Sequence, residues 1–146
     1  MDADYTAAKK YLAKEHYYGR LVRKFFLFGG IVMLLSLPFF NDLIPASPTF
    51  SLLAVVAVSL AAGLINPLMR SAVLFNVLVS IAALIIFEYE AISLYAAIPS
   101  SDAEWLFFVI NQALALNFFL ATYYGTKSAR GLLVKGKFVD SERSVS

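Results

Sequence analysis

The side chains in this chain that could do chemistry are carboxyls and amides set among apolar residues. Glu88 and Glu90 are the only charged residues in the stretch 71–98. A carboxylate in such surroundings either concentrates cations at the mouth of a permeation path or takes up and releases a proton in a transporter. If a helix enters the hydrocarbon near Val73, Glu88 lies fifteen residues further on, about 22 Å into a core about 30 Å thick. Two residues apart, the two glutamates are separated by about 200° around a helix and cannot share a face. The deeper one, Glu88, is the stronger candidate, with both residues in the headgroup zone as the alternative. Asn111, Gln112 and Asn117 lie in another apolar run, where amides must find partners. They line a polar path or bond between helices. Asn76 falls within about 40° of the Glu90 face, which makes it a candidate partner there. These six residues are the candidates for permeation or selectivity.

Other chemistries lack their residues. With no cysteine and one histidine, His16 in the polar N-terminal segment, thiolate metal sites, iron–sulfur ligation and His-rich sites are excluded. No nucleophile elbow, phosphate loop or pair of acids on one face is present, so no catalytic residue, metal or cofactor is expected and the chain reads as a non-enzyme. Asn66-Pro67 fits a helix cap followed by a first-turn proline.

The elements that must position the polar residues follow from composition. Of 146 residues, 60% are hydrophobic and 15% charged, and mean hydropathy is +0.74, far too apolar for a soluble or disordered domain. The fold expected is an all-α membrane protein, a four-transmembrane-helix bundle. Its spans fall at about 21–40, 50–65, 71–98 and 105–124, because roughly 20 apolar helical residues cross the hydrocarbon. The second span is short, and the third, about 42 Å long at about 1.5 Å per residue, overshoots the bilayer and must protrude or bend near Glu88-Tyr89-Glu90. The fourth is expected to end at Gly125. Residues 1–20 read as an amphipathic, interfacial segment retained in the mature chain, since no signal-peptide pattern is present. Residues 125–146 read as a basic tail. Small residues such as Gly29, Gly30, Ala57, Ala61 and Gly63 mark close helix packing.

Orientation comes from the basic residues. Lys9, Lys10, Lys14, Arg20, Arg23 and Lys24 precede or open the first span, Arg70 separates the second and third, and Lys127, Arg130, Lys135, Lys137 and Arg143 follow the fourth. By the bias of Lys and Arg toward cytoplasmic loops, both termini are cytoplasmic, as in a bacterial inner membrane or its equivalent. Asp42, Glu88, Glu90, Asp102 and Glu104 fall toward the opposite side. Lys127, Arg130, Lys135 and Lys137 are candidates for anionic lipid headgroups, and nucleic acid is not an expected partner. Four short helices offer little interior for so many polar groups, so a homo-oligomer or a membrane-protein partner is expected. The leading expectation of function is a homo-oligomeric channel or transporter for small cations or protons. The alternative is a non-catalytic accessory or assembly subunit of a larger membrane complex.

Overall fold

The computed structural model describes residues 18–44, 47–64 and 70–143, and these form four helices with no strand among them. They are α1 (Gly19–Phe40), α2 (Pro48–Gly63), α3 (Arg70–Ala96) and α4 (Asp102–Arg143). Three contain stretches long and apolar enough to cross a membrane, namely Gly19–Phe40, Ser71–Ala96 and Asp102–Gly131, and they mark the chain as a membrane protein. The remaining helix, α2, is apolar but spans 16 residues, about 24 Å. Residues 1–17 of the segment expected to lie at the interface, with His16, and the Asn66-Pro67 turn fall outside the described residues, and residues 19–20 of that segment open α1.

Local sequence accounts for the helix ends. Pro48 stands in the first turn of α2, where its missing N–H costs nothing. Helix α4 opens on a capping box that the run Ser101-Asp102-Ala103-Glu104 encodes. The Glu104 backbone N–H donates to Ser101 Oγ at 3.3 Å, and Glu104 Oε2 accepts from the Ser101 N–H at 3.3 Å and the Ser100 N–H at 2.6 Å. Helix α3 ends differently. Ile98, just past its last turn, has φ 56°, a left-handed conformation that costs a β-branched residue roughly 1–2 kcal/mol.

Of the two alternatives for the third stretch the structure has the unbroken helix, and one expected helix end changes. Helix α3 runs unbroken through Glu88, Tyr89 and Glu90, so the excess length is carried as helix. Helix α4 does not stop at Gly125 but continues to Arg143 over 42 residues, about 63 Å. No glycine among the described residues has positive φ, so Gly125 is not the left-handed residue that ends a helix. Its role is contact: a Cβ there would come within 3.1 Å of Val77 Cγ2 on α3.

The helices pack antiparallel, with α4 at the centre against both α1 and α3 and with α2 mainly against α1. Phe118 of α4 is fully buried, Phe26 of α1 meets it edge-on at 5.8 Å, and Phe87 of α3 stacks on it at 5.7 Å. Glycine permits the approach of α1. A Cβ on Gly29 would lie 2.7 Å from Phe118 Cζ and 3.0 Å from Asn117 Nδ2. Gly30 faces Val58 and Ser59 of α2.

These contacts give the bundle two chemically distinct ends. At one, Phe40 stacks on Phe107, and Tyr95 and Trp105 pack against Phe108. Asp42, Asp102 and Glu104 belong to this acidic end. At the other, Tyr18, Phe25, Tyr123 and Tyr124 form an aromatic cluster, Lys127 Nζ lies 4.9 Å from the centre of the Tyr18 ring, and the Tyr18 N–H donates to Ser128 Oγ at 3.0 Å. Arg20, Arg23, Lys24 and Arg130 sit exposed at or near this basic end.

Candidate polar site within the apolar helices

The six candidate residues separate into three groups. Asn111 and Asn117 are buried and their amides are engaged within the chain. Asn111 Nδ2 donates to the Phe107 carbonyl one turn back at 2.8 Å, the usual local solution for a polar side chain in an apolar helix. Asn117 Nδ2 reaches across to the Phe25 carbonyl of α1 at 2.9 Å. That bond ties α1 to α4 beside Gly29, and interhelical bonds of this kind are worth about 0.6–2 kcal/mol.

Asn76 is separated from the glutamates by depth. It shares the flank of α3 with Glu90, but the two are fourteen positions apart, about 21 Å along the helix, so it does not partner Glu90. It is 5% exposed, and its Oδ1 has no hydrogen-bond partner among the described residues. One turn further along α3, Ser80 and Thr122 form a buried hydroxyl pair, with Thr122 Oγ1 donating to Ser80 Oγ at 3.1 Å and Ser80 Oγ donating to the Val77 carbonyl. Serine and threonine are common enough in membrane helices that only their apolar neighbours marked these two in the sequence. Ser128, buried beneath Tyr18, lies between Lys127 and Arg130 and carried no such signal.

The remaining group is the one the fold brings together across two helices. Gln112 Nε2 of α4 donates to Glu88 Oε2 of α3 at 3.4 Å, a long hydrogen bond between a half-buried carboxyl and an exposed amide. Glu90 lies on the other flank of α3, also half-buried. The position of the pair along the bundle follows from its register with α4. Gln112 is seven residues from Trp105 at the acidic end, about 10 Å, and fifteen residues from Lys127 at the basic end, about 22 Å. Glu88 thus stands inside the apolar length of both helices, beyond the aromatic residues that edge it.

Of the basic candidates, Lys127 and Arg130 are exposed on α4 beside the aromatic cluster. Lys135 and Lys137 fall on its continuation, and their side chains are outside the described residues. No group of His, Cys, Asp and Glu able to hold a metal ion occurs among the described residues. Comparison with protein families, with curated proteins and with solved structures finds no match to this chain.

Proposed function

We propose that the protein is a homo-oligomeric channel or transporter for small cations or protons, with Glu88 as the carboxylate that meets the transported ion. The observation that carries this reading is the depth of the Glu88–Gln112 pair, about 10 Å inside the level of Trp105. An ionised group at such depth costs a few kcal/mol and is retained where it faces protein or water rather than lipid. Asp42, Asp102 and Glu104 would concentrate cations at the end from which Glu88 is nearer.

The proposal includes the membrane arrangement. All four helices cross, α2 with the help of its flanking residues, and both termini lie in the cytoplasm with the acidic end outside. The separation of described Lys and Arg from Asp42, Asp102 and Glu104 supports it. Lys127 and Arg130, beside a tyrosine cluster, suit anionic headgroups at the cytoplasmic boundary.

A second reading rests on a different observation. Asn111, Asn117, Ser80 and Thr122 all have hydrogen-bond partners inside the bundle, so among the described residues these four form no free polar track through one chain. In an accessory subunit, Glu88 and Gln112 would instead dock another membrane protein.

Flux separates the two. Purified protein in liposomes should pass K⁺, Na⁺ or H⁺, and Glu88→Gln should lower that flux by about tenfold or more, equivalent to about 1.4 kcal/mol. A well-folded oligomer that passes none of these ions, and co-purifies with another membrane protein, would replace the transport reading with the accessory one. Flux unchanged by neutralising Glu88 and Glu90 together would remove the site assignment.

A further inference from the structure

The Glu88–Gln112 pair lies on the outside of the chain. Gln112 is exposed between Val109 and Leu116, which are 56% and 60% exposed, and Glu88 borders Ile85 and Ile92, which are 62% and 58% exposed. Such aliphatic side chains are at home in lipid. The pair is not, because its single long bond engages one of two amide hydrogens and one of two carboxyl oxygens. Polar groups left unpaired in hydrocarbon cost several kcal/mol each. At about 10 Å inside the Trp105 level, the pair is also beyond easy reach of headgroups.

Among the described residues the chain does not supply the missing partners. Every Lys and Arg whose side chain is described lies at or near the basic end, about 22 Å away at Lys127. A second copy in the same orientation therefore cannot offer a cation at this depth. It can offer an amide donor and a carboxyl acceptor, at the same height and on the same face. A carboxyl–amide pair is self-complementary, which is the chemistry a two-fold interface requires.

We infer that a second copy of the chain docks on the outer face of α3 and α4, with Gln112 of each protomer donating its free N–H to Glu88 of the other. The inference rests on the membrane-embedded homo-oligomer of the functional reading, and it assigns that oligomer its interface. Within it Glu88 would lie between two protein surfaces instead of against lipid, the placement expected of a carboxylate retained in a membrane.

The absence of native cysteine makes the test clean. In native membranes, Ile92→Cys and Leu116→Cys, one turn from Glu88 and Gln112, should give disulfide-linked dimers on mild oxidation. Leu35→Cys on α1 and Leu53→Cys on α2, equally exposed in one chain, should not. Adding Gln112→Leu should reduce the Ile92→Cys dimer yield by about tenfold. The inference is overturned if Leu35→Cys or Leu53→Cys cross-links as well as Ile92→Cys, or if no variant dimerises. It also falls if the adduct joins a protein of different mass, or if Gln112→Leu leaves the yield unchanged. Cross-linking does not depend on flux: a dimer without flux retains the interface and removes transport, and flux without this dimer does the reverse.

Discussion

At the scale of single residues, Gly29 has the closest surroundings of the described glycines, and its missing side chain is what lets α1 reach α4. Phe118 is fully buried between Phe26 and Phe87, so its ring cannot yield to a Cβ placed 2.7 Å from Cζ. Gly29→Ala should therefore destabilise the protein by about 1–3 kcal/mol, as overpacked cores do. Gly63→Ala is the matched control, since a Cβ there meets nothing within 4 Å among the described residues. Thermal unfolding in mild detergent should show a lowered midpoint for the first variant and little change for the second. The sequence singled out Gly29 as a packing residue because glycine in a membrane helix permits close approach. It did not reveal what approaches. The same limit applies to the amides: their cost in hydrocarbon was legible, but whether Asn117 reached α1 or bonded to its own helix as Asn111 does depends on helix rotation, which composition leaves open.

Among the elements, α4 departs most from expectation. Gly125 followed by a basic stretch resembles a helix stop, yet α4 continues through it because the glycine serves a contact with Val77 and not a left-handed turn. A proline separates the two cases. Thr126→Pro removes an interior helical N–H and crowds the preceding turn, which should cost about 3 kcal/mol. Were Gly125 a terminal glycine, proline one residue later would be tolerated. Loss of far-ultraviolet helix signal together with a lower melting point would support the continuous helix. The opening of α4 is the opposite case. Ser101 and Glu104 have the spacing of a capping box before an apolar run, and their hydrogen bonds form one. The apolar lengths behind α1, α3 and α4 were legible for the same reason: hydrocarbon thickness sets a minimum that few soluble helices meet at this hydropathy.

For the whole molecule, the two ends differ in charge and the sides are largely apolar, and on the outer surface within the apolar length the described residues place a carboxyl–amide pair that bridges two helices, Glu88 with Gln112. The central claim is that water and small ions reach Glu88 although it stands inside that length. Labelling of single-cysteine variants with a small membrane-impermeant thiol reagent applied outside intact cells tests this most directly. Ser47→Cys, exposed at the acidic end, reports whether that end faces outward and should react. Glu88→Cys should react as well, through the path proposed to serve the ion, and Ile85→Cys, one turn toward the basic end, should stay protected. Reaction at Ser47→Cys with Glu88→Cys as inert as Ile85→Cys would contradict the claim and leave Glu88 sealed within the protein or against lipid.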